Sequence, residues 1–189
     1  PDKDNPVKAP WTEEIIDESL HVVHNVWNVV GDSDNRDSIL TASYEGVAQH
    51  RRLEGGKWVK WPYVEGNPVP LPQSGAGEIK ASQAREARRM PQAAGTAISA
   101  NIRSRLLATI EPWHGHQAVV YVWTGTGWRR FVVDENLRSG HAIWWADFDQ
   151  DGEDELLVGY RDKAPPGNKA GLQIYDLSLD SGGEGDTAW

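Results

Sequence analysis

Short hydrophobic runs, each followed by turn-forming residues, recur along most of the chain. Each run has about five to seven residues rich in Val, Ile, Trp and Tyr, and Gly, Asn, Asp or Pro bounds it. Residues 105–111 and 117–123 are two such runs, separated by a turn that contains Pro and Gly. Runs of this length and composition are typical of short β-strands. The pattern therefore predicts an all-β protein.

The chain also contains an internal repeat. Residues 11–44 align without a gap on residues 128–161, a shift of 117 positions, and 10 of the 34 aligned positions are identical. His24 falls on His141, and Trp27 falls on Trp144. An ungapped match of this extent indicates two copies of one structural unit.

A third, looser copy lies between these two. Residues 58–63 correspond to the segments that begin at Trp11 and Trp128, and residues 75–79 correspond to the segments that contain the repeated histidines. Four antiparallel strands in a repeat of about 45–70 residues are typical of a β-propeller blade. We therefore expect a β-propeller of four-stranded antiparallel blades, about three in number, within a domain spanning residues 1–180. The expected blades are residues 11–63, 64–133 and 134–177.

The predicted strand order leaves the ring incomplete. Residues 22–30 and 139–146 are the expected innermost strands, and the chain would open with an outer strand at Trp11. Propellers typically have about four to eight blades, and an open ring would expose hydrophobic faces and strand edges. We expect either a larger propeller chain or a homo-oligomer to complete the ring.

Two segments do not fit the blade pattern. Residues 81–104 contain helix-forming residues followed by Pro91, which predicts an insertion with a short helix inside the middle blade. Residues 181–189 are rich in Gly and polar residues, which predicts a disordered tail.

Charge and composition exclude several classes of function. The chain has 19 Lys and Arg against 28 Asp and Glu, a net charge of −9, which argues against nucleic-acid binding. No apolar run approaches the roughly 18 residues needed to cross a membrane, so no membrane span is expected. The lack of Cys excludes disulfides and thiolate metal sites. It does not fix the compartment, for which an extracytoplasmic or secreted location is somewhat favoured.

Acidic residues alternate in the loop that follows the later inner strand. Asp147, Asp149, Asp151, Glu153 and Glu155 surround a Gly at the sixth position. Carboxylates on one side of a tight loop repel one another unless a hard cation binds between them. Calcium suits such a loop best. Magnesium is the alternative and fits less well, because it demands stricter coordination geometry. An acidic turn without an ion is the competing interpretation.

The corresponding loop of the first copy, residues 30–38, is expected to hold no ion. It lacks the first and last acidic residues of the later loop, and Arg36 stands among the remaining ones. Pairing between Arg and Asp and turn hydrogen bonds would then hold the loop together.

The histidines form a second candidate site. His24 and His141 belong to inner strands, which line the central channel of a propeller, and Glu111 and His114 flank a turn of the middle blade. Imidazoles and a carboxylate near one channel can bind a second divalent metal or transfer protons near neutral pH. Hydrogen bonds between blades are the alternative role, which the repetition of His24 at His141 favours.

The acidic loop resembles the calcium loop of FG-GAP or VCBS propeller repeats over residues 139–160. The wider order of motifs is similar to the propeller domain of the aldos-2-ulose dehydratase family. That order runs from His21 and His24 through residues 42–47, Trp58, residues 75–77, residues 111–115 and His141 to the acidic loop.

The resemblance to the dehydratases implies a seven-bladed propeller that uses a divalent metal and dehydrates keto-sugars. It implies abstraction of a proton beside a carbonyl and β-elimination from a keto-sugar or uronide. His24, His114 and His141 would then act as base and acid. Glu111 would position one of them, and His21, Tyr44 and Trp113 would bind the carbohydrate. The alternatives are a non-catalytic, calcium-stabilised propeller that binds sugar or protein, and a structural part of a multichain assembly.

Overall fold

The computed structural model describes residues 3–5, 11–31, 36–82, 106–151, 154–163 and 170–176. These residues form eleven β-strands and no helix. The strands are β1 (Asn25–Val29), β2 (Ser38–Ser43), β3 (Gly46–Arg52), β4 (Trp58–Val64), β5 (Glu78–Ala81), β6 (Leu106–Glu111), β7 (Gln117–Trp123), β8 (Trp128–Asp134), β9 (Leu137–Ala146), β10 (Glu155–Lys163) and β11 (Gly171–Tyr175).

The strands form three antiparallel sheets. Sheet one has the order β1-β2-β3-β4, sheet two has the order β5-β6-β7-β8, and sheet three has the order β9-β10-β11. The prediction of an all-β protein built from antiparallel sheets of up to four strands is confirmed. The described strands do not form a closed sheet.

Sheet two is buried on both faces by its neighbours. On β6, Leu107 packs into the cluster shared with sheet one, whereas Ala108 and Ile110 pack into the cluster shared with sheet three. This division follows from the strand period of two, which sends successive side chains to opposite faces. A strand covered on both faces needs apolar residues at successive positions, which explains the continuous run of buried residues in β6.

The first strands of the three sheets lie side by side. Strand β5 packs against both β1 and β9, and the repeat-related Trp27 and Trp144 meet with ring centroids 5.5 Å apart. The two copies of the sequence repeat therefore place equivalent residues near one another around β5.

Antiparallel register sets which loops lie at the same end of the sheets. Asn25 pairs with Ala42, Glu78 with Ile110, and Ala142 with Gly159. The starts of β1 and β5, the turns β2–β3 and β6–β7, and His141 therefore lie at one end, called here the histidine end. The β9–β10 loop with the acidic residues lies at the opposite end, about 15 Å away along the strand.

One strand prediction was wrong. Residues 11–20 form no strand, although the repeat aligns them with residues 128–137, which begin with β8. The second copy of this segment pairs with β7, and a strand forms only where a partner edge supplies its hydrogen bonds. Sheet three shows three strands among the described residues. Most of the predicted insertion at 81–104 and all of the tail at 181–189 lie outside the described residues.

No helix in the described part of the chain is long and apolar enough to cross a membrane.

Candidate metal centre

Three histidines from three different parts of the chain converge at the histidine end. His24 precedes β1, His114 lies in the β6–β7 turn, and His141 lies within β9. One ring nitrogen of each lies within 4.8 Å of those of the other two. The closest pair is His24 Nε2 and His114 Nε2, which are 2.8 Å apart. This group could hold a metal ion.

His114 reaches the cluster because of a glycine and a long turn. The strand registers give Gly77 the position in sheet two that His24 has in sheet one. A Cβ atom on Gly77 would lie 3.0 Å from Trp113 Cα and 3.1 Å from His114 N. The missing side chain therefore lets the β6–β7 turn lie over Gly77 and place its own imidazole in the cluster.

Hydrogen bonds fix the orientation of the His24 ring. Its Nδ1 lies 2.7 Å from the carbonyl oxygen of Gly77 and 3.3 Å from Glu78 Oε1. Both oxygens accept hydrogen bonds, so Nδ1 carries the proton in the neutral ring, and the Nε2 lone pair accepts the hydrogen bond from His114 Nε2. Metal-binding histidines are commonly oriented in this way by a carbonyl or carboxylate behind the ring.

Burial and the neighbouring side chains favour the neutral form of His114. Burial lowers the pKa of the His114 imidazole, and electrostatic interaction with His24, His141 and Arg161 lowers it further. Burial also raises the pKa of the Glu78 carboxyl, against the opposing effects of Lys80 and His24. A neutral imidazole is the form that binds a metal.

The predicted carbohydrate-binding residues border the cluster. The exposed Trp113 ring lies 4.6 Å from His114 and 6.4 Å from Tyr44, measured between ring centroids. His21 Nδ1 lies 2.6 Å from Glu45 Oε1. Burial alone would raise the pKa of the Glu45 carboxyl, but hydrogen bonds from His21 and Ser43 lower it on balance. An aromatic surface therefore flanks the three histidines, and His21, paired with Glu45, lies three residues before His24 in the sequence.

Glu111, which was expected to position a histidine, lies outside this cluster. It is fully buried, and its Oε1 accepts hydrogen bonds from Thr109 at 2.6 Å and Tyr121 at 2.7 Å. Its Oε2 accepts two more from Arg130, at 3.0 Å and 2.7 Å. Burial and the neighbouring Glu111 charge raise the pKa of the Tyr121 hydroxyl. These contacts join β6, β7 and β8 within sheet two.

The acidic loop forms a second group that could hold a metal. Carboxylate oxygens of Asp147, Asp149, Asp151 and Glu155 lie within 4.8 Å of one another. Backbone N–H groups orient two of them: Phe148 N donates to Glu155 at 2.6 Å, and Asp151 N donates to Asp149 at 3.1 Å. The predicted ligand Glu153 lies outside the described residues, as do residues 32–35 of the first copy.

Sequence reasoning missed two residues behind the histidine cluster. Gly77 makes room for the turn, and Glu78 lies beside the His24 ring. The sequence contains one sign of this arrangement: the looser middle copy has Gly where the other two copies have His. That difference becomes informative only once the strand registers are known.

The chain has no match among protein-family models, and a search of the curated proteins found no similar protein.

Proposed function

We propose that the histidine end is the active site of a metal-dependent carbon–oxygen lyase that acts on a keto-sugar or uronide. The convergence of His24, His114 and His141 carries this proposal. Three imidazole nitrogens suit zinc or another first-row divalent transition metal, and they leave a coordination position for water or substrate. Calcium and magnesium prefer oxygen ligands, so they fit this donor set poorly.

The bound metal would polarise the sugar carbonyl and so make the hydrogen on the adjacent carbon more acidic. His21 lies three residues before His24 in the sequence and is not one of the three ligands. Its Nδ1 donates to Glu45, which leaves Nε2 free to take that proton, and the negative charge of Glu45 stabilises the imidazolium that results. Departure of the β-hydroxyl group as water, with a proton returned by the same imidazole, completes the elimination.

Aromatic side chains would hold the sugar. Trp113 and Tyr44 lie edge to face beside the histidines, with ring planes 76° apart. Aromatic rings of this kind bury the apolar face of a ligand while their polar atoms stay near water. A sugar ring packed on Trp113 would therefore lie beside His114, and its carbonyl group could face the metal.

We further propose that the three sheets are β-propeller blades of the FG-GAP or VCBS type. Antiparallel sheets of three or four strands, packed through their first strands, support this proposal. The donor set of Asp147, Asp149, Asp151 and Glu155 is all oxygen, which fits calcium, with magnesium as the alternative. The ion would stabilise the β9–β10 loop and would take no part in the reaction.

Calcium should stabilise the fold. At a free concentration of 100 times its Kd, calcium should raise the free energy of unfolding by about 2.7 kcal/mol, because it binds only the folded loop. EGTA should lower the melting temperature, as measured by thermal unfolding followed by circular dichroism. The Asp149→Asn variant should lose most of this response, whereas His114→Ala should keep it. If neither calcium nor EGTA changes the melting temperature of the parent chain, the calcium site is contradicted.

The alternative function is recognition of sugar or protein without catalysis. Exposed tryptophans favour it, since Trp61 and Trp144 lie on the surface as well as Trp113. Recognition alone, however, gives no reason for three imidazoles to converge on one point. This convergence favours the lyase.

The lyase is tested by incubating the chain with keto-sugars in the presence of Zn²⁺, Co²⁺ or Mn²⁺. Elimination produces a conjugated carbonyl compound that absorbs ultraviolet light, and in D₂O the carbon next to the carbonyl should exchange its hydrogen. Metal-dependent product formation that the His21→Ala variant loses is the expected result. Sugar binding without exchange or product would instead support the recognition function.

A further inference from the structure

We infer that the substrate of the proposed lyase is a uronide, a sugar that bears a carboxylate group, and that Arg161 binds this carboxylate. The inference rests on the proposed function, because it selects one of the two substrate classes that the lyase proposal includes. It follows from the place of Arg161 in the fold, from the charges around it and from the chemistry of its guanidinium group.

The internal repeat makes Arg161 the equivalent of Tyr44. The two residues are 117 positions apart, which is the shift that aligns the two copies. The register of β1 with β2 recurs at this shift in β9 and β10, as far as the bulge after Gly159. Tyr44 follows the end of β2 at the histidine end. Arg161 therefore lies at the same end of sheet three.

Arg161 also lies beside the turn that carries His114. The β6–β7 turn is hydrogen-bonded to β9, since Gly140 N donates to the carbonyl oxygen of Gly115 at 3.0 Å. Gly140 permits this close approach, because a Cβ atom there would lie 3.3 Å from the Gly115 oxygen. The register of β9 with β10 places Arg161 opposite Ser139, the residue before Gly140. The strand that bears Arg161 thus runs next to the strand on which the turn rests.

The positive charge of Arg161 acts on the candidate metal centre. Electrostatic interaction with Arg161 is one of the causes that lower the pKa of the His114 imidazole. Arg161 is exposed, and its guanidinium group forms no hydrogen bond or ion pair within the described part of the chain. The N–H donors of this group are therefore open to a ligand at the histidine end.

The two carboxylates beside the histidines already have partners. Glu45 lies 2.6 Å from His21 Nδ1, and the buried Glu78 lies 3.3 Å from His24 Nδ1. The chain as a whole carries a net charge of −9, which repels anions. An anionic substrate therefore needs a local cation at the site to offset this repulsion, and Arg161 supplies one.

The β6–β7 turn has both an aromatic and a cationic neighbour. Its Trp113 ring lies 6.4 Å from the ring of Tyr44, and its His114 lies close enough to Arg161 to be affected by the charge. A uronide has two matching parts, because its ring has an apolar face and its carboxylate is negative. The ring would pack on Trp113 while the carboxylate binds Arg161.

The guanidinium group suits a carboxylate better than it suits a phosphate ester, the other common anionic group of sugars. Arginine forms two parallel hydrogen bonds with a carboxylate, and the charges of the two groups cancel. A phosphate ester carries about 1.5 to 2 negative charges, which one arginine does not balance. Arg161 therefore favours a uronide over a sugar phosphate.

Binding by Arg161 would also assist the elimination. The base takes the hydrogen on the carbon next to the carboxylate as a proton, and the electron pair of that C–H bond forms a C=C double bond. The β-oxygen then leaves with its bonding electrons and a proton. Negative charge builds up on the carboxylate during this step, and a guanidinium group beside it stabilises that charge. Arg161 would therefore favour uronides in turnover as well as in binding.

The first test compares the binding of glucuronate with that of glucuronamide, a neutral compound of similar shape. Isothermal titration at low ionic strength and without added metal should show glucuronate binding about 10-fold more tightly, because a hydrogen bond to a charged group is the stronger one. Arg161→Ala should remove this preference. Arg161→Lys should keep part of it, since Lys retains the charge but not the planar fork.

Arg129→Ala is the matched control for Arg161→Ala. It removes the charge of another exposed arginine, on β8, and should keep the preference for glucuronate. A parent chain that binds the two compounds equally would overturn the inference, as would an Arg161→Ala variant that keeps the preference. Tighter binding of glucose 6-phosphate than of glucuronate would overturn the choice of a carboxylate.

The second test separates this inference from the lyase itself. The chain is incubated with a divalent transition metal and either a uronide or the corresponding uronamide, and the ultraviolet absorbance of the unsaturated product is followed. The uronide should be the better substrate, and Arg161→Ala should raise its KM about 10-fold. Equal turnover of the two compounds would overturn the inference and leave the lyase. Turnover of neither, with the binding preference intact, would overturn the lyase and leave the carboxylate site.

Discussion

Replacing His114 with alanine should weaken the binding of Zn²⁺ or Co²⁺ by more than about 100-fold. Mutation of a residue that hydrogen-bonds to a metal ligand already lowers metal affinity roughly 10- to 100-fold. Loss of the ligand itself should lower the affinity further. The fold should survive, because His114 lies in a turn and is not part of either hydrophobic cluster. Isothermal titration with the metal measures the change, and turnover of the keto-sugar should fall in parallel.

His116 provides a matched control in the same turn. It is also a histidine, it is exposed, and it is not one of the three clustered imidazoles. His116→Ala should leave metal affinity and turnover within about two-fold of the parent chain, since it removes a surface imidazole only. Equal effects of the two substitutions would mean that the turn as a whole, and not His114, matters for metal binding.

Replacing Glu111 with alanine should destabilise the chain by about 3–5 kcal/mol, because it leaves a partly buried Arg130 without its carboxylate. Tyr121 and Thr109 would lose hydrogen-bond acceptors at the same time. Urea unfolding followed by tryptophan fluorescence measures the loss. Metal affinity per folded chain should be unchanged, because Glu111 is not a member of the histidine cluster.

Glu54→Ala is the matched control for Glu111→Ala. Glu54 also pairs with an arginine, Arg36, at 3.2 Å, but this pair lies on the surface. Surface ion pairs contribute little to stability, so the urea midpoint should hardly move. A similar loss of unfolding free energy in both variants would show that burial does not make the Glu111–Arg130 pair more stabilising than a surface pair. A Glu111→Ala variant as stable as the parent chain would contradict the structural role of Glu111.

The β-strands could be predicted from the sequence because their signal is local. Strands β6 and β7 follow from apolar runs bounded by turn residues, and the repeat predicted that His24 and His141 occupy equivalent places. The acidic loop could also be recognised from the sequence, since all its candidate metal ligands lie within nine residues. Each of these features depends on residues close in sequence or on a repeat that can be aligned.

The remaining features depend on contacts between distant strands. The buried hydrogen bonds of Glu111 could not be predicted, because its partners Tyr121 and Arg130 come from the next two strands, 10 and 19 residues away. The way His114 enters the cluster depends on Gly77, on a different strand. The segment at Trp11 has the hydrophobic pattern of a strand. A strand also needs the edge of a neighbouring strand to hydrogen-bond with, and the pattern does not show whether such an edge is present.

The two candidate metal groups differ in both chemistry and location. The nitrogen ligands lie at the histidine end beside exposed aromatic rings, and the oxygen ligands lie at the opposite end of β9. Under the proposed function, the nitrogen group would hold a transition metal for catalysis and the oxygen group would hold calcium for stability. A chelator selective for calcium should therefore lower stability without removing the metal that supports turnover.

Anomalous X-ray diffraction from crystals grown with Zn²⁺, recorded on both sides of the zinc absorption edge, tests the central claim most directly. The account predicts an anomalous peak between His24, His114 and His141, at about 2.0–2.1 Å from one nitrogen of each ring, and no zinc peak in the acidic loop. Absence of zinc between these rings, with the His24 and His114 nitrogens still in hydrogen-bond contact, would contradict it.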